Sequence, residues 1–306
     1  MRLVLLGTAG GPAWYDRRQG IASAVEVDGN VYLVDCGEGV GRQYARAGFA
    51  PFEGRHTLRG LRAIFLTHLH SDHCVDFFNV WLFSWFNGID KNPHVVQAHG
   101  PGVVAMTEQL TDAFAPDIED RMRASRQPPF AELFEAHDID LPAEVVAAAE
   151  EDPAPEMDPI DVYEDEHVRV SAILVPHPPM FPSFAFRFDG EAGSIAFSGD
   201  TRVTSNLEKL ARGADVLVHE VIDRAWVESR YEPPLDPVQQ ASVDHLLSSH
   251  TTIEEVGAVA ERCGAGTLVL NHFVPADNPP ERWLEAQAGF SGRLVVGEDL
   301  MQISLT

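Results

Sequence analysis

Residues 67–73 read Thr67-His68-Leu69-His70-Ser71-Asp72-His73 (THLHSDH), directly after the apolar run Ala63-Ile64-Phe65-Leu66. Three imidazoles and a carboxylate crowd the point where a buried strand is expected to stop. Histidine offers a neutral nitrogen to a borderline divalent ion, and aspartate an anionic oxygen. On an extended backbone His68 and His70, two positions apart, point to the same side. Asp72 and His73 sit where the chain turns into a helix and face another way. The segment is therefore read as metal-binding, and one short motif can serve two adjacent ions.

The same event recurs along the chain. A strand at Val168 to Val175 runs out at His177, and one at Ser194 to Ser198 is followed by Gly199-Asp200-Thr201. The buried run Val216-Leu217-Val218 ends in His219-Glu220, and Thr267 to Leu270 ends in Asn271-His272. His177 alone reads as a satisfied loop histidine. Five polar strand ends are different, because the ends of neighbouring strands on one edge of a sheet converge. Asp200 is the natural carboxylate to bridge two ions, and His219 is read as a stabiliser of its strand end.

Other elements follow from pattern. Strands are expected at 2–7, 22–28 and 31–35, the last two joined by the hairpin signal Asp28-Gly29-Asn30. Asp35-Cys36-Gly37-Glu38-Gly39 then turns into a helix from Val40 to Ala47. A second helix is expected over Thr251 to Cys263, with Thr251 or Thr252 as cap and Glu254-Glu255 in its first turn. The aromatics at 77, 78, 81, 83, 85 and 86 are read mainly as helix core, with a pocket wall or dimer contact as the alternative. Between Arg126 and Arg169 there is no Lys or Arg while acids recur. That stretch is read as a solvated, partly irregular insertion, with a lid as the alternative. No linker divides the chain; two similar halves in one domain, 1–306, fit best.

Composition narrows the class. Lys and Arg number 22 against 47 acids, a net charge of −25. A large nucleic-acid footprint, which needs a basic surface, is disfavoured on that count. No apolar run is long enough to span a membrane, and Leu3 to Leu6 is too short for a signal peptide. Three widely spaced cysteines (Cys36, Cys74, Cys263) are read as free thiols of a reducing cytoplasm.

THLHSDH resembles the HxHxDH motif of the metallo-β-lactamase superfamily, and the later landmarks arrive in that superfamily's order. LGTAGGP, Arg18, DCGEG, SGDT, HE and SHTT are similar to the branch holding ribonuclease Z, the zinc arylsulfatases and the class II cyclic-nucleotide phosphodiesterases. The resemblance implies an α/β fold, a four-layer αββα sandwich, here with an acidic, partly helical insertion at roughly 87–166. It implies two divalent ions, zinc before manganese or iron. His68, His70 and His177 would hold the first ion; Asp72, His73 and His272 the second, with Asp200 bridging. Glu220 and His250 match the branch's proton-transfer pair, although His250 also reads as part of a helix cap. The cysteines match no ligand position, and Cys74 reads as a small packed side chain. His56, His94, His99, His137, His167 and His245 lie outside the motifs.

The reaction expected is hydrolysis of an ester bond by water activated between two ions about 3.5–4 Å apart. Three departures from ribonuclease Z steer the substrate. His177 to Asp200 leaves room for a hairpin rather than a tRNA-gripping arm, the extra length is acidic, and HEVID and NHFVPAD replace that enzyme's usual endings. A small-molecule sulfate or phosphate ester is therefore the expected substrate, with tRNA 3′ processing and lactone or β-lactam hydrolysis as alternatives. The sequence does not fix the oligomeric state; a homodimer is the commonest outcome.

Overall fold

The hairpin at residues 28–30 forms with positive φ at both Asp28 (51°) and Gly29 (82°), the pairing that lets a two-residue turn follow the right-handed twist of its strands. It joins β2 (Ala22–Val27) to β3 (Asn30–Val34). The computed structural model describes residues 1–49, 58–86 and 94–305. The contacts divide these into two units: Met1–Gly7, Gln19–Asp140 and Asp299–Ser304 form the first; Thr8–Arg18, Leu141–Glu298 and Leu305 belong to the second.

The first unit holds a seven-stranded sheet ordered β14-β1-β2-β3-β4-β5-β6. Its other strands are β1 (Arg2–Gly7), β4 (Leu61–Phe65), β5 (Val96–Gly100), β6 (Phe134–Asp138) and β14 (Gln302–Ser304). From β14 to β3 the pairing is antiparallel; from β3 to β6 it is parallel. Parallel neighbours need long crossovers, and helices supply them: α1 (Val40–Ala47), α2 (Ser71–Cys74), α3 (Phe77–Phe86), α4 (Val103–Ala113) and α5 (Ala115–Ser125). Of the six aromatics of α3, Phe77, Phe78, Trp81 and Trp85 are buried, while Phe83 and Phe86 are exposed. Trp81 stacks on Phe134 at 4.6 Å, and the indole N–H of Trp85 donates to Pro128 O at 2.9 Å.

The second unit repeats the plan with the order β13-β12-β11-β10-β9-β8-β7. Strands β7 (Ile160–Glu164), β8 (Val168–Leu174), β9 (Phe184–Gly190) and β10 (Gly193–Phe197) form an antiparallel meander. Strands β10, β11 (Val216–Ile222), β12 (Thr267–Val274) and β13 (Arg293–Val296) are parallel. Here the helices are α6 (Ala143–Ala148), α7 (Ser205–Leu210), α8 (Arg224–Ser229), α9 (Pro237–Ser249), α10 (Ile253–Cys263) and α11 (Pro280–Trp283). Thr252, not Thr251, caps α10, and its side chain and that of Glu255 form a reciprocal capping box.

The acidic stretch is more regular than its composition suggests. Its residues supply β6, an edge of the first sheet, and β7, an edge of the second, with the short helix α6 between them. Charge on an edge strand blunts unwanted pairing, which gives the acids of β7 (Asp161, Glu164) a structural use.

His99 on β5 sits between Phe65 (5.3 Å) and His137 of β6 (5.1 Å), with Nε2 3.1 Å from Gln97 Oε1. Burial, with His137 adding to it, pushes its pKa down to about 4. The folded state therefore keeps His99 neutral while the unfolded chain protonates it below about 6.5. Stability should fall as pH drops from about 6.5 to 4, by roughly 2–3 kcal/mol from this residue alone. Urea unfolding of His99→Gln across that range should show a flatter acid limb than the wild type; an identical limb would exclude the effect.

Candidate metal centre

In the first unit THLHSDH leaves the C-terminal end of β4. His68 and His73 are buried, and their rings lie 4.0 Å apart between centroids. His68 Nε2 and His70 Nδ1 stand 3.0 Å apart, two nitrogens aimed at nearly one point. Asp72 Oδ2 is 3.6 Å from His73 Nε2.

Asp35, at the end of β3, holds this group in place. Its Oδ2 lies 2.9 Å from His73 Nδ1, and its Oδ1 accepts from the Thr67 amide at 2.8 Å. The Thr67 hydroxyl lies 3.0 Å from both carboxylate oxygens and from His68 Nδ1. Such a carboxylate fixes the proton on Nδ1 of His73 and frees Nε2 as a ligand atom. Asp35 was not singled out in the sequence. Its signal was the Asp35-Cys36-Gly37 turn, where Asp35 takes φ of 62°. Gly37 is required there, since a Cβ would come within 2.5 Å of Asp72 O.

In the second unit three strand ends deliver their residues to one place. Asp200 Oδ2 lies 3.3 Å from His272 Nε2, 3.8 Å from His177 Nε2 and 4.0 Å from His250 Nδ1. All four residues are buried. One ligand atom each from His177, Asp200 and His250 falls within 4.8 Å of the others, and Glu220, His250 and His272 satisfy the same limit. His177 Nδ1 donates to Ser249 O at 2.9 Å, which leaves Nε2 with its lone pair toward Asp200. Burial, relieved in part by Asp200, pushes the His177 pKa down to about 4, so the ring is neutral and able to ligate near pH 7.

His272 is placed by a β-bulge. Asn271 pairs with Glu220 and Phe273 with Val221, so His272 is the extra residue, with φ of 44°. Bulges re-aim a side chain where pairing breaks. The backbone of Gly10 packs against the ring: an added Cβ would lie 2.6 Å from His272 Nδ1.

Glu220 is wholly buried among donors. Its Oε1 accepts from the Thr201 amide at 2.9 Å, the Thr251 amide at 3.3 Å and His250 Nδ1 at 3.0 Å. His250 is the C-terminal cap residue of α9, with Nδ1 committed to Glu220 and Nε2 on the other side of the ring. His219 lies in the middle of β11, which runs on to Ile222 instead of ending at His219-Glu220; it is buried with Nδ1 2.7 Å from Glu220 O, and burial lowers its pKa. Cys74 is half-buried against the carbonyl of His70, and burial raises its pKa to about 11; it is a packed thiol. His56 lies outside the described residues.

The donor chemistry fits divalent ions. Each unit offers imidazole nitrogens beside a carboxylate, with the second ring nitrogen of His73, His177 and His250 fixed by a neighbour.

Residues 30–273 match the model of the beta-lactamase superfamily domain. The chain belongs to this superfamily. Membership makes it a hydrolase of the metallo-β-lactamase fold that binds divalent metal and acts on ester bonds. Ribonuclease Z of Mycobacterium bovis (strain BCG / Pasteur 1173P2) is 32% identical over 309 positions, covering 100% of this chain and 98% of that one. Ribonuclease Z of Mycobacterium marinum is 31% identical over 313 positions, covering 100% and 99%. Among solved structures, the short form of human tRNase Z superposes with a TM-score of 0.67 at 22% identity over the full length of both chains. Zinc-bound PqqB of Methylobacterium extorquens gives 0.65 at 17% identity, again over both full chains. These last two show the fold.

The superfamily relatives correct two expectations. A small-molecule sulfate or phosphate ester is not the best-supported substrate, and nucleic acid is not disfavoured as a partner. An absent arm does not exclude tRNA here: the Mycobacterium bovis ribonuclease Z aligns over 309 positions against the 306 residues of this chain, which leaves only a few of its residues opposite a gap within the aligned span. A sequence called ribonuclease Z thus has no arm opposite a gap in this one. Net charge sums the whole surface, including solvated acids such as those of β7, whereas binding depends on local charge.

Asp35→Asn tests the His73 arrangement. An amide at this position can donate to Nδ1 and drive the proton to Nε2, removing the ligand lone pair. Metal retention against a chelator should weaken about 10- to 100-fold, with the helical circular dichroism of the folded protein kept. Unchanged retention would show that Asp35 does not set the His73 tautomer.

Proposed function

We propose that this hydrolase is a ribonuclease Z-type endonuclease that cuts precursor tRNA at its 3′ side. The observation that carries the reading is the end-to-end similarity, 32% over all of the chain and 98% of the relative. In this reading His68, His70 and His177 would hold one ion and Asp72, His73 and His272 the other, with Asp200 the carboxylate available to both. Zinc is the first choice of metal, since its preference for imidazole and carboxylate suits these donors. A cytoplasmic setting agrees with free thiols at Cys36, Cys74 and Cys263.

When bound, the ions supply charge neutralisation at the scissile phosphate and activation of water near neutral pH. The chain's own residues do the rest. Asp200 keeps His177 and His272 turned inward and offers an anionic oxygen to the centre. Asp72, an acceptor-only group when ionised, orients the attacking water and takes its proton. As water attacks phosphorus, the bond to the leaving oxygen breaks and that oxygen needs a proton. His250 delivers it from Nε2, while Glu220 on Nδ1 stabilises the protonated ring. Thr201 and Thr251 amides hold Glu220 still during the transfer.

Metal-quantified wild-type protein given precursor tRNA with a 3′ trailer should cut it at a single position, and Asp200→Ala should lose the activity along with at least one equivalent of metal. Absence of cutting by fully loaded wild type would sink the assignment. His250→Ala should retain both metals yet slow the chemical step by about 10²- to 10⁴-fold. On model phosphodiesters the loss should grow with the pKa of the leaving alcohol; a loss independent of leaving group would deny His250 the role of acid.

A further inference from the structure

Trp14 is 90% exposed, the highest value among the large apolar side chains described. It sits in the loop Gly10-Gly11-Pro12-Ala13-Trp14-Tyr15-Asp16-Arg17-Arg18, all within the second unit. Both ends of that loop are fixed to the strand end that carries His272. At the entry, the Gly10 amide donates to Phe273 O at 3.1 Å, the Phe273 amide donates to Thr8 O at 3.0 Å, and Ala9 bridges to Phe273. At the exit, the Arg18 guanidinium lies 4.3 Å over the Phe273 ring and donates to Thr8 Oγ1 at 2.6 Å and Gly297 O at 2.8 Å.

The loop is thus anchored on the residue next to His272, and its first glycine lies against the His272 ring. Four residues reach no further than about 14 Å, so Trp14 is held within a few nucleotides of the centre. An indole in water gains nothing from exposure; its large flat face is suited to stacking on another ring. Arg17, three residues further on, is exposed and carries the charge that a phosphate would meet, and Asp16 just before it is the one acid of the loop. Tyr15 is half-buried and less available. An aromatic face and an arginine on an anchored loop are the two components of a single-strand stacking platform.

We propose that Trp14 stacks on an unpaired nucleobase flanking the scissile phosphate, with Arg17 pairing to the adjoining backbone phosphate. The inference rests on the ribonuclease Z reading and adds to it a residue that reads the substrate rather than reacting with it. Stacking on a base face is sequence-tolerant, so the platform positions the strand without demanding one nucleotide.

The experiment compares wild type, Trp14→Ala, Trp14→Phe and Arg17→Gln on precursor tRNA, on the same RNA with an abasic nucleotide at each position flanking the cut, and on bis-p-nitrophenyl phosphate. Trp14→Ala should raise KM for the RNA by on the order of tenfold to a hundredfold, and Trp14→Phe should restore most of it. One abasic position should impair wild type and leave Trp14→Ala no worse than before. Turnover of bis-p-nitrophenyl phosphate and the thermal midpoint should not move, since the side chain touches neither the centre nor the core. Wild-type cutting with an unchanged KM in Trp14→Ala overturns the stacking role alone. No cutting by wild type overturns the ribonuclease Z reading, and the stacking role falls with it.

Discussion

One carboxylate oxygen, Glu220 Oε1, ties together the segments on which the polar cluster of the second unit depends. It receives the amide after Asp200, the amide after His250 and the ring of His250 itself. Those partners come from the end of β10 and from the turn between α9 and α10, which are far apart in sequence. A buried carboxylate with three donors is stable where an unpaired one would not be. Removing it would leave two amides and an imidazole without their acceptor in a buried place. The position of Glu220 follows in turn from parallel pairing: β11 lies between β10 and β12, so its C-terminal end lies beside theirs.

The same logic runs through the first unit with a different residue. Asp35 at the end of β3 binds Thr67 and His73 at the end of β4, and β3 and β4 are again parallel neighbours. Each sheet changes from antiparallel to parallel part-way across, and the chemical residues gather on the parallel side. Ligands generally collect at the carboxyl ends of parallel strands, where loops rather than strands fill the space. Two non-glycine residues of these groups, Asp35 and His272, take positive φ. Such conformations cost of order 1–3 kcal/mol and persist where surrounding bonds enforce them. Here the bonds are those to Thr67 and His73 and the bulge opposite Glu220.

The sequence was informative wherever an apolar run met a polar residue. Strands over 2–7, 61–65 and 168–174, the helix over 40–47 and every strand-end ligand candidate could be read from that contrast. Elements without it were missed: β6, β7 and β13 have mixed or exposed faces, and α9 carries only Val243 and Ser249 buried. Asp35 was passed over because a carboxylate in a glycine turn looks like turn chemistry. Ser249 contributes only its carbonyl to His177, which no side-chain pattern announces.

Substrate class was the part least accessible to residue patterns, and the reason is physical. Ligands that hold ions are constrained by bond length and donor type, so their identities persist in readable motifs. A polyanionic substrate is held by many weak and interchangeable contacts, and no single one needs a fixed residue at a fixed spacing. A total of −25 can coexist with such contacts, provided the acids lie elsewhere; the solvated acids of Asp161 and Glu164 on β7 occupy an edge strand, apart from the loop of Trp14 and Arg17. The metal centre fixes the bond class to be broken. Which molecule presents that bond is decided by exposed side chains around it, and a tryptophan left 90% bare beside the His272 strand end is the kind of residue that makes the decision.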